Sequence, residues 1–165
     1  MFEGRCAQLG KMSSKSPLSI SDQIEAQALA VENLISFFSD QKDYSRIIYT
    51  EWTAKDVLAH LVSWHMSFAK NLVDVIRKNK PNPFKGSLAE VNEAEVRRLS
   101  GFSIDGLINM IKDAQETIMN NIENEEVDAI PYKKGSRDYK PQEHLEIVEK
   151  HILGHIKDLK KSYKM

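Results

Sequence analysis

Cysteine is almost absent from this chain, with Cys6 alone among 165 residues. A single thiol excludes an internal disulfide and fits a reducing compartment. Cys6 also stands in a Gly- and Ser-containing leader, where a catalytic thiolate would lack a preorganised environment. Long apolar runs are missing too. None approaches the ~20 residues that a membrane-crossing helix needs, and "MFEGRCAQLGKMSSKSPLS" has no apolar core of a secretory signal. Neither sign of charge dominates: 23 basic residues face 24 acidic ones, for a net charge of −1. No global field would therefore gather nucleic acid or anionic lipid. The one basic cluster, "KHILGHIKDLKKSYK", is what a helix C-terminus favours. The expectations are a cytoplasmic location, no nucleic acid and no membrane. GxGxxG, P-loop, GxSxG and CxxC arrangements are all lacking.

What is present is helical period. With 41% hydrophobic and 28% charged residues the composition is that of an ordinary globular protein, and the length suits one domain. Residues 1–18 read as a poorly ordered leader, with Met12 as an alternative start, and residues 19–165 as one domain. The first amphipathic segment runs from about Ser19 to Gln41, with Ile24, Ala28, Val31, Leu34, Ile35 and Phe38 inward. The second opens at "TAKD", where Thr53 caps and Asp56 answers as a capping-box acid. It continues through Val57, Leu61, Trp64, Phe68, Leu72 and Ile76 until Pro81 and Pro83 stop it. "SLAEVNEAEVRRL" is a short helix capped by Ser87 and Glu90. The third long helix begins at Ser103 and turns Leu107, Met110, Ile111, Ala114, Ile118 and Ile122 inward. A loop containing Pro131 and Gly135 leads to the fourth, which starts at Pro141 and buries Leu145, Val148, Ile152, Ile156 and Leu159. "RIIYTEW" is the best strand candidate. The spacing predicts an all-α four-helix up-and-down bundle with a long crossover carrying a short extra helix.

Five histidines, His60, His65, His144, His151 and His155, are the residues with chemistry to offer. His151 and His155 lie one helical turn apart, with about 6 Å of axial rise between them, so both imidazoles can reach one cation. His144 is about 10 Å away along the same axis, too far to share an ion whose nitrogen ligands sit near ~2.1 Å. A third ligand must come from another helix, and His60 and His65 flank opposite edges of the second helix's buried stripe. The competing reading is of helix-flank histidines satisfied by water or a carboxylate. Trp64 and Phe68 read as bundle core or as the floor of a pocket beside His60. Arg137 and Asp138 read as a solvated turn or a pocket mouth. Tyr132 and Tyr139 are loop hydroxyls that could act near a metal-bound water.

"EWTAKDVLAHLVSW", followed much later by "KHILGHIKDL", resembles the paired signature of the DinB/YfiT-like superfamily. Trp52, Thr53, Lys55, Asp56 and Ala59 match the opening of its first motif. The resemblance implies a four-helix fold and a divalent metal ion, zinc or nickel, held by His60, His151 and His155. "PNPFKG" and "EVNEAEV" further resemble the ClbS/DfsB-like branch, some members of which hydrolyse a cyclopropane warhead. Many thiol-transferase members follow the last histidine with Arg-Gly-Gln, where this chain has Ile156, Lys157 and Asp158.

Two classes of function follow. One is a metal-dependent hydrolase or thiol transferase acting on a small electrophilic molecule, with a carboxylate or carbonyl orienting each ligand ring; Glu149 and Asp158 are the nearest acids in sequence. The other is a ClbS/DfsB-like hydrolase without metal, or a sequestration or damage-response protein of the same fold, with a homodimer among its expected states.

Overall fold

The structure, a computed structural model, describes residues 17–40 and 43–165. Cys6, Met12, most of the expected leader and the expected helix end at Gln41 lie outside them. Five helices follow in order: α1 (Ile20–Asp40), α2 (Ala54–Ile76), α3 (Leu88–Leu99), α4 (Ile104–Asn121) and α5 (Pro141–Ser162). Two short strands, β1 (Ile47–Tyr49) and β2 (Trp52–Thr53), make an antiparallel hairpin between α1 and α2, within the stretch that reads as strand in the sequence. The architecture is the expected all-α bundle, with α3 as the extra helix in the crossover. Among the described residues no helix is long and apolar enough to cross a membrane.

Local chemistry sets the helix boundaries. At α2 the Thr53 N–H donates to Asp56 Oδ2 at 2.8 Å and the Asp56 N–H donates to Thr53 Oγ1 at 3.2 Å. This reciprocal pair satisfies two of the donors that a helix start leaves open. Ser87 and Glu90 repeat it at α3, and Ser103 Oγ accepts from Gly106 at α4. At α5, Pro141 occupies the first turn and Glu143 accepts the Lys140 N–H at 2.9 Å.

The long helices associate as two pairs, α1 against α5 and α2 against α4, with lighter contacts joining the pairs. One apolar cluster gathers Leu34, Phe38, Leu58, Leu107, Ile111 and Leu159. A second gathers Phe68, Leu72, Ile118, Ile122, Ile130 and Leu145. Each such side chain, fully buried, stabilises by about 1.5–3 kcal/mol.

The buried stripe of α1 is rotated from the expected one. Gln23, Gln27 and Phe37 are buried, while Ile24, Ala28 and Ile35 sit at its edge. The glutamines are tolerated there because they are paired. Gln27 Nε2 donates to Gln115 Oε1 at 2.9 Å, and Gln115 Nε2 donates back to Gln27 Oε1 at 2.6 Å. Gln23 Nε2 donates to Glu149 Oε2 at 2.6 Å. Burial of an amide costs little once its partners are supplied.

Candidate metal centre

α2 and α5 bring three imidazoles to one point. His60 Nε2 lies 2.9 Å from His151 Nε2, and His155 Nε2 lies 3.1 Å from the same atom. The three nitrogens fall within 4.8 Å of one another. His60 is buried, and His151 and His155 are half-buried. The sequence reason is plain: the HxxxH pair projects from one face of α5, and the apolar residues around His60 (Ala59, Leu61 and Val62) fix the rotation of α2 that points it inward.

Three ring nitrogens at such separations cannot all be satisfied by their own protons, because each neutral imidazole has one N–H and one lone pair. They can be satisfied together by a cation. Tetrahedral nitrogen ligands about 2.1 Å from an ion stand about 3.4 Å apart, so the two close pairs would open by a few tenths of an ångström and the wider one, within 4.8 Å, would close by about an ångström. Electrostatics favours the neutral, ligating form. Burial, and then the neighbouring imidazoles, push His60 down to about 3. Burial and His155 push His151 down to about 4. His155 is also lowered by burial, with Asp158 opposing.

The hairpin supplies the next layer. The Trp52 ring packs on His60 with centroids 5.0 Å apart. Tyr49 Oη lies 2.9 Å from His155 Nδ1 and donates to Asp158 Oδ2 at 2.5 Å. Burial, and then its bond to Asp158, raise the Tyr49 pKa, which keeps the phenol protonated. A cavity of about 350 Å³ is lined by Tyr49, Thr50, Glu51 and Trp52, two of which touch ligand imidazoles. A larger groove of about 540 Å³ runs beside Met66, Phe84 and Arg98, and none of the three imidazoles lines either of these two.

The other sequence candidates fall elsewhere. His65, expected at a flank, is fully buried and lies 2.7 Å from Gln115 Oε1 through Nε2. His144 is buried and stacked on Phe68, centroids 3.9 Å apart, with no protein partner for Nδ1. Burial lowers both, His65 to about 4 and His144 to about 3. A closed cavity of about 20 Å³ touches His65, His144 and His151. Trp64 donates to Asn92 and stacks on Tyr132, so it and Phe68 are core. Tyr132 and Tyr139 pack on each other and on His144, and the tyrosine that reaches a ligand histidine is Tyr49 instead. Arg137 pairs with Glu143 on the surface. Glu149 is turned to Gln23 on α1, whereas Asp158 reaches His155 through Tyr49.

No protein-family model matches the chain, and no curated protein matches it. Among solved structures it is similar to the mycothiol-dependent maleylpyruvate isomerase and to a histidine-to-alanine mutant of that enzyme. Each superposes with a TM-score of 0.72 at 13% sequence identity over 90% of this chain. The chain spans 63% of the length of those structures. At that identity the likeness is one of fold alone: the helices described above share the arrangement of those structures.

Proposed function

We propose that this protein is a metal-dependent enzyme that turns a thiol, or a water molecule, on a small electrophilic substrate. His60, His151 and His155 hold a divalent ion, zinc or nickel. The observation that carries this reading is the convergence of three neutral Nε2 atoms across α2 and α5. When bound, an ion on three imidazoles keeps a coordination position open and lowers the pKa of a nucleophile placed there. The chain's own residues do the rest. Burial holds the imidazoles unprotonated, and Trp52 packs over His60.

A thiol is favoured over water as the nucleophile by the fold it shares with a thiol-dependent isomerase. The resemblance of "PNPFKG" to ClbS/DfsB-like proteins is the ground for the alternative reading, hydrolysis without a metal. The reading includes a small-molecule substrate and a reducing, cytoplasmic setting consistent with Cys6 as the lone thiol.

The test is metal analysis of protein purified without a histidine tag, followed by an assay with 1-chloro-2,4-dinitrobenzene and a low-molecular-weight thiol. About one zinc or nickel per chain is expected, absent from His60→Ala, His151→Ala and His155→Ala. Thiol-dependent turnover that a chelator abolishes supports the enzyme. Wild-type protein that takes up neither ion would sink the metal site. A bound ion without turnover would leave a protein that holds a ligand and does no chemistry.

A further inference from the structure

We infer that Tyr49 and Asp158 form a positioning pair that fixes the tautomer of His155, so that its Nε2 presents a lone pair to the cluster. This rests on the metal reading of the three histidines. The proton count leads to it. A phenol has one hydrogen to donate and lone pairs to accept. Tyr49 Oη stands 2.5 Å from Asp158 Oδ2 and 2.9 Å from His155 Nδ1. A carboxylate can only accept, so the phenol hydrogen lies on the Asp158 side; turned away, it would leave two oxygen lone pairs facing each other across 2.5 Å. With that hydrogen committed, the Tyr49 oxygen accepts, and the group able to donate to it is His155 Nδ1–H. A neutral imidazole protonated at Nδ1 is bare at Nε2, the atom that faces His151 Nε2 at 3.1 Å.

The pair reaches the ring from two directions. Asp158 follows His155 by three residues on α5, on the same helix face. Tyr49 arrives from the hairpin, 106 residues away in sequence, and its ring also meets the imidazole edge-on at 5.6 Å. Rotation of His155 is thereby blocked as well as its protonation site chosen. His60 Nδ1 makes no well-formed hydrogen bond of this kind, although Asn92 lies beside the ring. His155 is thus a ligand whose lone pair the protein sets in advance, and groups that orient a ligating histidine are generally worth 10–100-fold in metal affinity.

The experiment is long-range ¹H–¹⁵N correlation of the imidazoles in chelator-treated full-length protein at neutral pH, followed by zinc titration with a competing chromophoric chelator. Wild type is expected to show His155 protonated at Nδ1. In Tyr49→Phe, which removes the acceptor, and in Asp158→Ala, which frees the phenol to turn, the Nε2-protonated form should gain. Zinc affinity should fall about 10–100-fold in both. His155 protonated at Nε2 in the wild type, or the same tautomer and affinity in both variants as in wild type, would overturn the inference. An Nδ1-protonated His155 in a wild type that binds no zinc would uphold the pair and overturn the metal reading alone. If one variant fails to fold, the other still decides, because Tyr49 and Asp158 lie on different elements.

Discussion

Acid should unfold the metal-free bundle early, and a substitution far from the ligands should blunt the effect. His65 and His144 are 1% and 2% exposed, and burial places their folded pKa values at about 4 and about 3, below the ordinary 6.5. With the folded pKa depressed, the unfolded chain binds more protons wherever the pH lies between the two values. Stability is therefore full above 6.5 and falls as the pH drops toward 4. Each such histidine removes stability through that window, on the order of 2 kcal/mol between pH 7 and pH 5. Two remove on the order of 4 kcal/mol, a large share of the roughly 5–15 kcal/mol that holds an ordinary domain together. His60, His151 and His155 act in the same direction. His144→Phe keeps the stack on Phe68 and deletes the unpartnered Nδ1, so at pH 7 it should be neutral or mildly stabilising. Between pH 7 and pH 5 it should lose on the order of 2 kcal/mol less than wild type, or roughly 1 M in urea midpoint at an m-value of about 2 kcal/mol/M. Urea unfolding with chelator at pH 7, 6 and 5 reads this directly. Parallel pH dependences for wild type and His144→Phe would show that His144 is not held neutral by burial.

Bound ion stabilises by RT ln(1 + [L]/Kd), so zinc at 100 times Kd should add about 2.7 kcal/mol and raise the melting point by about 5–10 °C. Thermal melting should lose that shift in His60→Ala, His151→Ala and His155→Ala and keep it in His144→Ala. Because burial holds His151 down to about 4 and His60 to about 3, the shift should persist through pH 6 and fade only toward pH 4, where ligand protonation competes. Thr53→Ala removes the side-chain half of the α2 capping box, the Asp56 N–H to Thr53 Oγ1 bond, while the backbone N–H at 53 keeps Asp56; it should cost about 1 kcal/mol in denaturant unfolding. Gly154 lies within α5 with nothing inside 4 Å of an added Cβ, so Gly154→Ala should stabilise by up to about 1 kcal/mol by the same measurement.

The helices were legible because their signals are local. Thr53 with Asp56, Ser87 with Glu90, and Pro141 each act within one turn, and the inward residues of α2, α4 and α5 repeat at 3.6. The HxxxH pair was legible for the same reason, and His60 through the motif around it. Tyr49 was not, because its partners lie 106 and 109 residues away and nothing in "RIIYTEW" marks one hydroxyl as special. The rotation of α1 was missed because a helical wheel treats Gln23 and Gln27 as surface, and only Gln115 and Glu149 on other helices make their burial affordable. His65 went the same way: a flank position by angle, it is sealed by α4, which supplies Gln115 as its partner.

The pairing of α1 with α5 and of α2 with α4 puts the three imidazoles on the seam between two half-bundles, one ligand on one side and two on the other. An ion there would act as a rivet across 91 residues of chain, the separation of His60 and His151. A link that spans so long a loop forms late and must break before the halves part. The ion should then show its effect in the rate of opening, slowing hydrogen exchange along the α2–α5 seam while leaving exchange within each helix pair nearly as it was.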